Sequence, residues 1–374
     1  MASSYAPSDA RRGRGAVSNE ETRFSALRRE HDVERGEAEA AHEHVVHFRT
    51  EVSSERARRI ISRNQSPDVL FDQSINPYRG CEHGCIYCFA RPTHAYLGLS
   101  PGLDFETKIS AKDNAPEVLE SELRRAGYKP SLIALGANTD PYQPIERERG
   151  ITRRVLEVLE RFGHPVGITT KSALVVRDID ILERMARRDL ARVYISVATL
   201  DAGIARQVEP RANTPARRIE AIRRLSAAGV PVGVIVAPII PALTDFDIEN
   251  VLTSAAEAGA QYAGYVMLRL PLEVRDLFVE WLEERYPLRA RHVMSLVEQM
   301  RDGRHNSARF GERMRGTGKF AELIAQRFGL AARKLSLDRE RRPLRTDLFR
   351  VPQSLESDAG GAMERVNHSQ MSLF

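Results

Sequence analysis

The sequence predicts an α/β protein built on a parallel sheet, and three observations carry the prediction. Short apolar runs recur through the middle of the chain, an amphipathic helical pattern follows each, and Gly, Pro and capping residues punctuate the joins. The runs read as strands are 132–135, 166–169, 193–198, 232–237 and 262–268; the helices that follow them are 151–162, 178–188, 215–228, 246–258 and 274–286. Asn213-Thr214-Pro215 sets a cap with proline in the first turn, and Gly229 closes that helix before Pro231. Thr244 or Asp245 caps the next helix and Gly259 ends it. Strands alternating with helices in this way form βαβ units. With a further strand near 74–78 the units number six, enough for an open doubly wound sheet or a partial barrel. In both, chemistry belongs at the carboxyl ends of the strands.

At 374 residues, with 42% hydrophobic and 29% charged, the chain has the size of a full catalytic domain. No stretch approaches the ~18 uninterrupted apolar residues of a spanning helix, so no membrane partner is expected. The polar, arginine-rich 1–14 segment lacks the apolar core of a secretion signal, and a cytoplasmic location is the expectation. A net charge of +5 permits an anionic partner without requiring one. Residues 1–57, charged and holding His31, His42, His44 and His47, read as a largely flexible leader; 58–335 read as the core with a C-terminal helical elaboration, and 336–374 as a flexible tail.

All three cysteines fall in Cys81-Glu82-His83-Gly84-Cys85-Ile86-Tyr87-Cys88, directly after the strand near 74–78. An odd, clustered set is a poor disulfide framework and a good set of metal or cluster ligands. Structural zinc and ferredoxin-type 4Fe-4S clusters take four protein ligands, and this chain has no fourth cysteine. Zinc held by Cys81, Cys85, Cys88 and either His83 or His94 is one reading. A cluster with one open iron is the other.

The C-x₃-C-x₂-C spacing with Tyr87 before the third cysteine resembles the radical S-adenosylmethionine superfamily. That resemblance implies a partial (β/α)6 TIM-like barrel. It also implies a 4Fe-4S cluster on Cys81, Cys85 and Cys88, and S-adenosylmethionine chelated on the open iron. Reductive cleavage then yields a 5′-deoxyadenosyl radical, and a flavodoxin- or ferredoxin-type electron donor is needed as partner. The strand ends are then expected to hold the cofactor. The candidates are Tyr87 in the loop, Asn138, Thr139 and Asp140 after the second strand, Lys171 after the third, Ser196 in the fourth, and Arg211 beyond it. Ser196, a hydroxyl in an apolar run, needs a partner, and the cofactor ribose would serve.

Arg79-Gly80, Thr139-Asp140, Thr170-Lys171 and Thr199-Leu200-Asp201 narrow the resemblance to the branch related to spore photoproduct lyase, over roughly residues 58–330. That enzyme reverses a thymine lesion in DNA with a cysteine as hydrogen-atom donor. The matching position here is Ala137, so the lyase reaction itself is not expected. No catalytic residue is assigned; Tyr142 and Tyr194 are the candidates for a replacement donor.

Two features point towards nucleic acid. The Gly/Arg-rich stretch 304–319 suits a phosphate backbone, whereas Arg153-Arg154, Arg217-Arg218 and Arg223-Arg224 read as solvated helix faces. The closing Gln370-Met371-Ser372-Leu373-Phe374 resembles the pentapeptide by which bacterial repair enzymes dock on the sliding clamp. The expectation is a radical enzyme acting on modified or damaged nucleic acid. The alternative is a zinc-stabilised nucleic-acid-binding or adaptor protein without redox chemistry.

Overall fold

A computed structural model describes residue 11, residues 13–20, 22–24 and 48–353. The N-terminal histidines His31, His42, His44 and His47 and the pentapeptide Gln370–Phe374 lie outside the described residues.

Among the described residues ten strands form two sheets: β1 (Glu51–Ser54), β2 (Ile61–Arg63), β3 (Gln73–Ile75), β4 (Tyr78–Arg79), β5 (Lys108–Ala111), β6 (Ile133–Leu135), β7 (Val166–Thr170), β8 (Ala191–Ser196), β9 (Val232–Ile239) and β10 (Tyr262–Met267). The larger sheet has the order β10-β9-β8-β7-β6-β3-β2. Neighbours from β3 to β10 run parallel, and only β2 is antiparallel to its neighbour. The six parallel strands are the six units expected from the alternation, in chain order across an open arc. This is the partial TIM-like barrel.

Helices α1 (Ala115–Leu123), α2 (Ile151–Arg161), α3 (Ile179–Ala186), α4 (Pro215–Ala227), α5 (Ile248–Glu257), α6 (Val274–Arg285), α7 (Pro287–Gln299) and α8 (Gly318–Lys334) complete the described frame. Alternation sets which strand residues face the helices. In β8, Ala191, Val193 and Ile195 are buried, while Arg192 and Tyr194 on the other face are only half-buried. In α2, Ile151, Val155, Leu156 and Leu159 make the apolar stripe that enters the main core beside Leu135 and Val166.

Two boundaries differ from the sequence expectation. Inside the expected flexible leader, β1 pairs with β5, and Ala16 and Val17 are buried in an apolar cluster with Cys85, Ile86 and Trp281. Beyond residue 335, Asp338 bridges Tyr262, the Arg345 amide donates to the Asp189 carbonyl at 2.9 Å, and Phe349 packs on Tyr128 and Phe162. Composition marks both stretches as polar, but each has an apolar anchor that finds a cavity in the barrel. Among the described residues no helix is long and apolar enough to cross a membrane.

Candidate active site

The cysteine loop leaves β4 and is bent by two glycines in the left-handed region, Gly80 (φ 75°) and Gly84 (φ 64°). A Cβ on Gly80 would meet the Phe105 carbonyl oxygen at 3.0 Å, and one on Gly84 the Glu106 carboxylate at 2.6 Å. Backbone bonds then fix the path. The Cys81 amide donates to the Phe105 carbonyl (2.9 Å), Ile86 to Val208 (3.1 Å) and Cys88 to Cys85 (3.2 Å). Gln143 holds the loop from above: its Oε1 accepts from the Glu82 amide at 2.9 Å and its amide donates to the Gly80 carbonyl at 3.2 Å.

From below, Arg91 donates to the carbonyls of Cys85 (2.9 Å), Gly84, Pro101 and Gly102 and to the Glu106 carboxylate. Glu106 in turn accepts from the amides of Gly15 (2.9 Å) and Ala16 (2.8 Å), and Arg14 donates to the Glu106 carbonyl at 2.9 Å. The N-terminal segment is thus a strap across the underside of the loop. Neither Arg91 nor Glu106 carries a sequence signal beyond lying just after the cysteines, and neither was expected.

Cys81 and Cys85 are buried and Cys88 half-buried; Cys88 packs against both of the others' apolar clusters. Burial is the main force raising the Cys81 thiol well above its ordinary value and pushing Cys85 up to about 12, with the neighbouring thiols adding to it. Thiolate binding at Cys81 and Cys85 therefore calls for a strongly cationic centre. Among the described residues no three His, Cys, Asp or Glu side chains converge on a single-ion site. His94 Nε2 lies 3.1 Å from the Lys108 carbonyl and His83 Nδ1 lies 3.4 Å from Asp140. The loop thus offers three soft thiols and no fourth cysteine.

The other expected residues divide by whether their polar groups are already engaged. Tyr87 donates to buried Glu209, which also accepts from buried Arg218; Lys171 Nζ stands 5.9 Å from the Tyr87 ring centre. Burial raises the Glu209 carboxyl, but Arg218, Lys171 and Tyr87 together hold it below its ordinary value. Burial likewise pulls Lys171 down, and Cys85, Glu209 and Asp140 outweigh it, so the lysine is charged. Lys171 acts electrostatically on Cys85 and has no ion pair within hydrogen-bonding reach among the described residues.

Asp140 accepts from the Thr170 hydroxyl (2.6 Å), the Tyr142 amide (2.9 Å) and the Lys171 amide (2.8 Å). Burial opposes its ionisation, yet His83 and these donors keep the carboxyl well below the carboxylate range. Thr139 donates to the Tyr78 carbonyl at 2.8 Å. Both tie strand ends together rather than facing an open space. The Asn138 amide donates to Asn76 Oδ1 at 3.1 Å, and its side-chain amide has no partner among the described residues. Gly136 makes this turn possible: it sits at φ 86°, and a Cβ there would lie 2.0 Å from the Thr169 carbonyl oxygen.

Three expectations change. Ser196 is not waiting for a ribose, because its hydroxyl donates to the Ala237 carbonyl on the adjacent strand at 3.1 Å. Arg211 meets a carboxylate inside the cysteine loop, Glu82, at 3.1 Å, by one nitrogen and not as a fork. The replacement donors are displaced: Tyr142 is fully buried with its hydroxyl on Asp178 at 3.1 Å, and the Tyr194 ring is faced by Arg341, 5.4 Å from its centre, on the side of the C-terminal segment.

Residues 75–255 match the family model of the Radical SAM superfamily. Uncharacterised proteins of Mycobacterium tuberculosis (strain ATCC 25618 / H37Rv) and Mycobacterium bovis are each 39% identical over 219 residues, 58% of this chain and 64% of theirs. The chain thus spans under two thirds of the length of these relatives. An uncharacterised protein of Methanocaldococcus jannaschii is 24% identical over 242 residues, 65% of this chain and 86% of its own. In fold, the chain is similar to a spore photoproduct lyase with a tyrosine-to-phenylalanine substitution (TM-score 0.55, 16% identity, 81% of this chain and 86% of that one). It is also similar to spore photoproduct lyase complexed with dinucleoside spore photoproduct (TM-score 0.53, 17% identity, 76% and 78%).

Proposed function

We propose that this chain is a radical S-adenosylmethionine enzyme acting on a modified or damaged nucleic acid, with Cys81, Cys85 and Cys88 holding a 4Fe-4S cluster. The observation that carries the reading is a three-thiol loop pinned from both sides at the carboxyl ends of six parallel strands, in a chain without a fourth cysteine. When bound, the cluster and S-adenosylmethionine supply a 5′-deoxyadenosyl radical. The chain's own residues do the holding. Lys171, the Asn138 side chain and the remaining nitrogens of Arg211 are free to meet the cofactor's polar groups. Tyr87, Thr139, Asp140 and Ser196 act through neighbours: Glu209, Tyr78, Lys171 and the β9 backbone.

The nucleic-acid substrate is supported by the fold likeness to a lyase whose complex holds a dinucleoside lesion. Ala137 separates the two, since an alanine cannot return a hydrogen atom as a thiol does, so the proposed reaction is not the lyase's own. An electron donor of flavodoxin or ferredoxin type is part of the proposal. The C-terminal pentapeptide lies outside the described residues and takes no part in it.

The test is anaerobic reconstitution with iron and sulfide, reduction with dithionite, and mass spectrometry of products from S-adenosylmethionine. The expected result is a brown protein that forms 5′-deoxyadenosine, and loss of both in Cys85→Ala. Tightly bound zinc with no iron, or a fully loaded cluster that leaves S-adenosylmethionine intact, would overturn it.

A further inference from the structure

A cleft of about 440 Å³ opens at the carboxyl ends of β6, β7 and β8, beside the cysteine loop. Arg147 follows β6, Arg177 follows β7, and Arg211, Arg217 and Arg224 come from the segment after β8 and from α4; His83 reaches one end. Five arginines line the space and no carboxylate does. Arg177 is bound to Glu146 and Asp178, and Arg211 to Glu82. Arg147, Arg217 and Arg224 are exposed and have no side-chain partner among the described residues.

The adjacent arginines of α2 and α4 are paired instead. Arg153 pairs with Asp178 and Asp180, Arg154 with Glu117, Arg218 with Glu209 and Arg223 with Glu220. In the Gly/Arg-rich stretch that the sequence singled out, Arg313 pairs with Asp68, and Arg309 with Asp302 and Glu312. The loop is pinned to the barrel, while two arginines of a supposedly solvated helix face are left bare.

Arg217 and Arg224 stand seven residues apart on α4, so they share a face and lie about 10 Å apart along the axis at ~1.5 Å per residue. Converging unpaired cations repel one another unless an anion is to sit between them. Guanidinium forks match phosphate oxygens, and cations spread along a recess suit linked phosphates better than a single anion.

We propose that this cleft binds the phosphodiester backbone of a nucleic-acid strand, with Arg147, Arg217 and Arg224 facing phosphates. The class of ligand rests on the function proposed above. A folded acidic protein surface spans a recess of this kind, whereas a strand enters it.

Fluorescence anisotropy of the full chain with labelled single-stranded DNA and RNA of about twelve nucleotides tests this. Arg217→Glu with Arg224→Glu is expected to weaken binding at least about tenfold at low salt. The slope of log affinity against log salt should fall by about 1.4, at ~0.7 per phosphate contact for single strands. The neutral pair Arg217→Gln with Arg224→Gln should lie between, with unchanged circular dichroism. Arg125→Glu, exposed and also without a partner, is the control and should change affinity less than about twofold. Equal binding by the reversed pair, or equal weakening by the control, overturns the proposal. So does unchanged oligonucleotide affinity together with lost reduction by an acidic flavodoxin, which would make the cleft a protein contact. Displacement of the strand by inorganic phosphate at equal concentration would make it a single-anion site. Failure of the unaltered chain to form 5′-deoxyadenosine would overturn the proposed function and leave the binding result standing.

Discussion

Arg91 uses all five of its N–H donors at once, on four carbonyls and on Glu106, and two of those carbonyls belong to Gly84 and Cys85 in the ligand loop. Both members of the Arg91–Glu106 pair are fully buried, so removing either leaves an uncompensated charge at a cost of about 3–5 kcal/mol. The strap shares this frame through Gly15, whose Cβ, if present, would lie 1.9 Å from the Gly84 carbonyl oxygen. Gly15→Ala is therefore expected to lift the strap, lower stability by about 2 kcal/mol and cut the iron retained after anaerobic reconstitution by more than half. Urea titration and iron analysis read the two effects; a variant that loads iron like the unaltered chain would show that the strap and the cysteine loop are independent. The sequence showed the three thiols because their spacing is local. It did not show Arg91, Glu106 or Gly15, because what makes them matter is contact across 15 to 91 residues of chain.

The turn between α2 and β7 carries His164, fully buried, with Nε2 2.8 Å from the Tyr128 hydroxyl and the Phe349 ring edge-on at 5.7 Å. Burial holds its imidazole down to about 4 from an ordinary 6.5, and the Pro165 carbonyl only partly offsets that. The unfolded chain takes up a proton near 6.5, whereas the folded chain does not until about 4. The stability of this packing is thus complete above pH 6.5 and declines as pH falls towards 4, by at most roughly 3 kcal/mol. Urea midpoints at pH 7.5 and 5 should show the decline, and His164→Gln should flatten it; parallel profiles would dismiss His164 as the source. Among the elements, five of the six parallel strands were legible because each is an apolar run followed by a helix stripe, and β3 through its place ahead of the cysteines. The small sheet β1-β5-β4 was not, since its strands have two to four residues and β1 is largely exposed. The C-terminal segment was missed for a related reason: Leu348 and Phe349 are a short apolar pair among charges, and only packing beside His164 gives Phe349 its meaning.

At the scale of the whole molecule, the barrel places four segments from distant parts of the sequence around one loop: residues 14–17, Arg91 with Glu106, Gln143, and the Glu209–Arg218 pair. Fold class and the clustering of the cysteines could be read from pattern and spacing, whereas the pairing of charges could not. The strap also bears on where this protein can be cut. The stretch that family likeness marks out, 75–255, omits Gly15 and Ala16, which cap Glu106, and omits all of β10, which covers the edge of β9. A fragment trimmed to those limits is expected to be insoluble or to melt without cooperativity, while 11–353 should give one sharp transition by calorimetry; a soluble, cooperatively melting 75–255 fragment would contradict this. Inheritance and burial thus draw different borders on the same chain. The shared motif ends where recognisable similarity ends, but the smallest piece that can keep its thiols in place begins some sixty residues earlier, in a stretch whose composition gives no hint of it.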